Sequence, residues 1–106
     1  MIRPLIFISA PLEGSGLPWR NVSAAAVVAA DLMDRGFAVI VPHASVMLDM
    51  LAPRPREAWL ANDVAVLSRC DAVYRLPGVS PGADQECREA EMRLIPVFRS
   101  LDALLD

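Results

Sequence analysis

Two acids sit where their neighbours should keep them from water. Asp63 lies among Trp59, Leu60, Val64, Val66, Leu67 and Cys70, four residues after Trp59 and three before Val66. That spacing puts it inside the apolar stripe of a helix. A carboxyl group on a semi-buried surface needs a hydrogen bond, an ion pair or a proton, and burial raises its pKa. Such an environment makes a general acid; the structural alternative is an acid favoured by the dipole near a helix start. Glu86 follows Ser80-Pro81-Gly82-Ala83 and is expected in the first turn of the next helix, on the side of Ala83, Cys87, Ala90 and Leu94. Gly82 and Ala83 let a ligand approach the backbone, and free N–H groups at a helix N-terminus hold anions. A carboxylate there is expected to stay ionised, as a nucleophile must; the alternative is an ordinary N-terminal acid partnering Ser80 as a cap. One protonated and one ionised carboxyl group suit the cleavage of a glycosidic bond.

Other candidates carry less chemistry. His43 follows a strand and can face a cleft, or serve as a hydrogen-bonded loop residue. Asp71 reads as a structural cap or turn acid before a strand. Arg20 and Arg75 offer bidentate phosphate contacts or exposed charge, and Trp19 either stacks on a base or covers the core. Cys70, Cys87 and His43 are too few for an ordinary structural zinc site, so no metal is expected and the thiols are read as buried and reduced. All ten basic residues are arginine. The absence of lysine excludes a Walker P-loop and Schiff-base chemistry.

The elements that must position these groups follow from periodicity and breakers. Leu5 to Ser9 reads as a buried strand, ending at Ala10-Pro11 and a loop with Gly14, Gly16 and Pro18. Asn21 is placed as the N-cap of a helix whose buried face is Val22, Ala25, Ala26, Ala29 and Met33, with Gly36 closing it. Phe37 to Val41 is a second strand, Ser45 to Leu51 a short helix, and Arg56 to about Arg69 the helix bearing Asp63. Asp71 to Leu76 is a third strand; a helix from Ser80-Pro81-Gly82 reaches about Arg93; Ile95 to Phe98 is a fourth strand, and Ser100 caps a terminal helix. Alternating strands and helices predict an α/β, doubly wound, flavodoxin-like or Rossmann-like sheet of about four parallel strands, helices on both faces, in the order 2-1-3-4. Ligands of such sheets bind at the carboxyl ends of the strands, where residues 9–20, 42–55 and 77–82 should meet.

Composition bounds the reading. The chain has 106 residues, 55% of them apolar, a mean hydropathy of +0.38 and a net charge of −3. That length suits one domain spanning 1–106. No apolar run approaches the roughly 18 residues of a spanning helix, and Pro4, Pro11 and Glu13 interrupt any signal peptide, so a cytoplasmic location off the membrane is expected. Negative charge without a basic cluster argues against a nucleic-acid polymer as partner. The apolar excess points to a buried interface between copies.

Ile6-Phe7-Ile8-Ser9-Ala10-Pro11 resembles the strand–loop opening of the nucleoside 2-deoxyribosyltransferase-like superfamily, often Tyr-Ile-Ala-Gly-Pro. Asp63-x7-Asp71-Ala-Val-Tyr-Arg-Leu-Pro-Gly-Val-Ser80-Pro-Gly82-Ala83-Asp-Gln-Glu86 resembles its second signature, and Gly16-Leu17-Pro18 with Asn21 resembles a short bacterial and phage subgroup. The resemblance implies a retaining double displacement at an anomeric carbon, without a cofactor. By motif position, Glu86 would be the nucleophile and Asp63 the acid that protonates the leaving nucleobase. Phe7, Ser9, Ala10, Asn21, Ser80, Gly82 and Ala83 would then contact a nucleoside or nucleotide. Ser80 falls where nucleotide hydrolases of this superfamily carry a serine near phosphate, which favours a nucleoside 5′-monophosphate. Phe7 replaces a common tyrosine and Ala10 a common glycine. The resemblance further implies a homodimer or higher homo-oligomer; the chain ends before the segment that completes a neighbour's site in characterised enzymes, so a more open pocket is expected.

Overall fold

In the computed structural model of the chain, residues 2–11 and 18–105 are described. The elements run β1 (Leu5–Ser9), α1 (Pro18–Asp34), β2 (Ala38–Ile40), a 3₁₀ turn (Pro42–Ala44) and α2 (Ser45–Leu51), then α3 (Arg56–Leu67) and β3 (Ala72–Arg75). They close with α4 (Pro81–Met92), β4 (Val97–Phe98) and α5 (Leu101–Leu105). The strands form one parallel sheet in the order β2-β1-β3-β4, the α/β arrangement read from the sequence. The chain returns to β1's other side after β2, so the loops after β1 and β3 open side by side.

Alternation along β1 divides the core. Ile6, Ile8 and Ala10 pack with Ala25 and Leu32 of α1 and are joined by Leu101 and Leu104 of α5. Phe7 turns to the opposite face with Leu67, Cys70, Val73, Cys87 and Ala90, the layer of α3 and α4. A strand covered on both faces has to be apolar throughout, as Leu5–Ile8 is. Ser9, next on the Phe7 face, is therefore delivered to the α4 layer as a polar group in a fully buried position.

Two local devices hold the strands in register. Asp71 accepts the Leu5 N–H at 2.7 Å while its own N–H donates to the Leu5 carbonyl at 2.8 Å, so it is a structural acid, tying the entry of β3 to that of β1. Gly36, at φ +96°, ends α1; its N–H reaches the Met33 carbonyl and the Phe37 N–H the Leu32 carbonyl, a paired closure that needs the left-handed conformation.

Several boundaries differ from expectation. α1 starts at Pro18, so Asn21 lies inside its first turn instead of capping it; proline suits the first helical position, where its missing N–H is no loss. The buried stripe of α1 runs through Ala25, Ala29 and Leu32, while Ala26 and Met33 are exposed. Ala24 to Ala30 is apolar without interruption, so periodicity alone does not choose which face meets the sheet. The edge strands β2 and β4 are shorter than their apolar runs, because each has a pairing neighbour on one side only. Leu94 falls beyond α4 and is exposed, off the face that carries Glu86.

Candidate functional site

The end of β1 aims the Ser9 hydroxyl at α4, where it donates to Glu86 Oε1 at 2.8 Å and lies 3.4 Å from the Ala83 carbonyl. Glu86 is buried, with 6% of its surface exposed. Asp63, on α3, is half-buried and shares a hydrogen bond with Glu86. The two carboxyl groups are thus neighbours across the α3–α4 seam, each acting on the other's ionisation. α3 and α4 lie side by side on one face of the sheet, which is what allows acids 23 positions apart in the chain to meet.

The electrostatics reverse the expected division of labour. Burial pushes the Glu86 carboxyl up most; the Ser9 hydrogen bond opposes this, the Asp63 hydrogen bond and charge add to it, and Arg75 opposes it. The result is a pKa of about 8. Burial also raises Asp63, against the stabilisation of its anion by Glu86 and His43. Asp63, the more exposed, ionises first, and the proton stays on Glu86. Two carboxyl groups in contact cannot both ionise cheaply, so the pair holds one proton between them over the neutral range. The expectation that Glu86 stays ionised is corrected, and the reason is its depth. Asp84 occupies the acidic place in the first turn of α4, and Glu86 lies beyond it, where the field of the helix terminus has decayed.

Two further polar groups border the pair. His43 is buried in the 3₁₀ turn; carbonyl oxygens only accept, so its Nε2 donates to the Pro11 carbonyl at 3.1 Å, and its buried Nδ1 has no partner among the described residues. Arg75, at the end of β3 and 4% exposed, donates to the carbonyls of Leu76 and Gly78 and pairs with Asp84 at 3.1 Å. It is neither exposed nor free for a ligand. Its position was readable, since it stands two residues after Val73 on the inward face of a strand. Among the described residues, no three His, Cys, Asp or Glu side chains are grouped to hold a metal ion.

The remaining sequence candidates divide. Ser80 is the N-cap of α4 and accepts the Ala83 N–H at 3.1 Å. Gly82 is half-exposed, and a side chain there would meet the Arg56 guanidinium at 3.3 Å, so the small residue makes room for that cation. Ala83 is buried against Ser9. The side chains of Phe7 and Ala10 go into the two core layers. Asn21 is half-buried in α1, and its side chain is engaged. Gly14, Gly16 and Leu17, together with the Trp19 side chain, lie outside the described residues. Trp59, which marked the apolar stripe of α3, gives its indole N–H to Asp49 of α2 at 2.7 Å. Both thiols are free and buried, and burial raises their pKa.

Residues 4–100 match the family described as Domain of unknown function (DUF7768). The chain belongs to that family. No curated protein matches it. The groups of the site can share one proton between two carboxyl groups, one of them accepting a hydrogen bond from a serine hydroxyl, at the carboxyl edge of a parallel sheet.

Glu86 gives the fold a pH dependence of defined sign. Because its folded pKa of about 8 lies above the ordinary 4.5, the native state binds the extra proton, and stability falls as pH rises between those values. Urea unfolding at pH 5 and pH 8 should show this loss in the parent. Glu86→Gln, which resembles the protonated acid, should be more stable than the parent at pH 8 by at least about 1 kcal/mol, close to one pKa unit of coupling. Parallel profiles for the two proteins would contradict the raised pKa.

Proposed function

We propose that the Asp63–Glu86 pair is the centre of an N-glycosyl-transfer site acting on a nucleoside or nucleoside 5′-monophosphate, as a glycosidase or a 2-deoxyribosyltransferase. The observation that carries this reading is the contact between the two acids, one of them bonded to Ser9, at the strand ends where doubly wound sheets bind ligands. The single proton of the pair is the inventory that a retaining displacement requires. As the proton passes from Glu86 to Asp63 along their hydrogen bond, Glu86 becomes the nucleophile and Asp63 the acid. A Glu86 carboxylate oxygen then bonds to the anomeric carbon, the bond from that carbon to the base nitrogen breaks, and the base takes the proton from Asp63. Water, or the N–H of a second base, then attacks the anomeric carbon while Asp63 takes its proton, the bond to Glu86 breaks, and Glu86 leaves as carboxylate. The Ser80 hydroxyl accepts from Ala83 yet keeps its own proton for a phosphate oxygen near the start of α4.

One observation favours a second reading, a non-catalytic nucleotide-binding module: Glu86 holds its proton in the free chain and is no nucleophile until it gives it up. Incubation with ribo- and deoxyribonucleosides and their 5′-monophosphates, with and without an acceptor base, separates the two. The glycosyl-transfer reading expects free or exchanged base, at least a thousandfold loss in Glu86→Ala and roughly a hundredfold loss or more in Asp63→Asn. Thermal stabilisation by nucleotides without product, unaffected by Glu86→Gln, would select the binding module. Neither product nor stabilisation would remove both.

The same reading takes the protein as a cytoplasmic homo-oligomer. No helix among the described residues is long and apolar enough to cross a membrane, and Met47, Leu48, Met50 and Leu51 of α2 expose large apolar side chains that favour a second copy as partner. Light scattering at micromolar concentration should return a multiple of 11.5 kDa; the mass of one chain would exclude self-association at that concentration.

A further inference from the structure

Arg75 stands apart from the groups already given a role. It is directly across from Ser9 in the register of β1 and β3, and parallel neighbours point to the same face about 4.8 Å apart. Its side chain therefore leaves the sheet on the face of the hydroxyl that holds Glu86, and its guanidinium reaches Asp84 in the first turn of α4 at 3.1 Å. A cation at a helix N-terminus opposes the helix dipole, and this one is buried with its Nε unpartnered. Packing does not call for it, because Val73 fills the same face two residues earlier. What the cation does hold is the β3–α4 turn, through the Leu76 and Gly78 carbonyls and Asp84. Gly78 in turn presses on Pro11, at φ +121° and with its would-be Cβ 2.8 Å from Pro11 Cγ.

We propose that Arg75 is a positioning residue for Glu86: its guanidinium clamps the turn after β3 and sets a permanent positive charge beside the buried acid, so that Glu86 becomes anionic without leaving Ser9. This deepens the glycosyl-transfer reading and takes the role of Glu86 from it, but the charge effect is measurable without a substrate. The groups facing Glu86 are Ser9 from β1, Asp63 from α3 and Arg75 from β3, with Cys87 beside it on α4. Behind them, His43 acts on Asp63, and Arg99 acts on Cys87. Of these, Arg75 is the cation that acts on Glu86 directly.

Carbon NMR of protein labelled at the glutamate carboxyl carbons reads the titration, with the Glu86 signal identified by its loss in Glu86→Gln. In Arg75→Gln the Glu86 midpoint should rise by about a few tenths of a pH unit, the scale of a nearby cation whose charge is partly offset by Asp84. Arg75→Lys, which keeps the charge and loses the planar fork, should stay near the parent. Arg75→Met retains the packed stem and serves if the glutamine variant does not fold. An unchanged midpoint in either neutral variant would overturn the proposal and leave Arg75 a turn clamp. If the parent turns over nucleosides, the pH profile of kcat should move with the midpoint. If it turns over none, the functional reading fails while the titration still decides the role of Arg75.

Discussion

The contact between Asp63 and Glu86 sets the terms for everything around it. A carboxyl group as buried as Glu86 has to be neutral or compensated, and the fold supplies both means. Ser9 donates to it, Asp63 takes up the negative charge nearer solvent, and Arg75 supplies a cation from below. Each partner comes from a different element. The pair therefore exists only when β1, β3, α3 and α4 are in their final arrangement, and sheet topology and site are one constraint. Had the chain returned on the other side of β2, the loops after β1 and β3 would not be neighbours and Ser9 would not lie across from Arg75.

A chain of close contacts joins the three loops at this edge. Arg75 fixes Gly78, Gly78 lies close to Pro11, and the Pro11 carbonyl accepts a hydrogen bond from His43 Nε2, whose other ring nitrogen has no partner among the described residues. A side chain on Gly78 would strike Pro11 and also demand an unfavourable backbone conformation, so the glycine is needed for both reasons. Contacts of this kind hold hydrogen-bonding groups in place before a ligand arrives, which spares the cost of organising them on binding.

Much of this was readable in the residues. Apolar runs punctuated by Pro11, Gly36, Pro42 and Pro77-Gly78 gave the order of elements and, with right-handed crossovers, the strand order. That the end of β1 and the start of α4 meet at one sheet edge followed from the topology, whereas Asp63 and Glu86 were singled out by their local surroundings and by motif position. The protonation of the pair did not follow, because it depends on the depth of Glu86 along α4 and on its distance from Asp63, neither of which a local pattern carries. Asp84, two residues earlier, takes the favourable field of the helix start. The phase of α1 was equally hidden: in a run of alanines and valines, only the sheet beneath distinguishes Leu32 from Met33. Phe7 and Ala10 were assigned to the site by motif position, yet alternation along β1 already sent them to opposite core layers.

The central claim is that Glu86 forms a covalent bond to a sugar. Mass spectrometry after incubation with 2′-fluoro nucleosides, whose glycosyl esters hydrolyse slowly, tests it most directly. The account predicts the mass of one fluorosugar on the peptide containing Glu86, present in the parent and absent in Glu86→Gln. Base release from the natural nucleosides without any adduct on Glu86, or with an adduct on another residue, would contradict it.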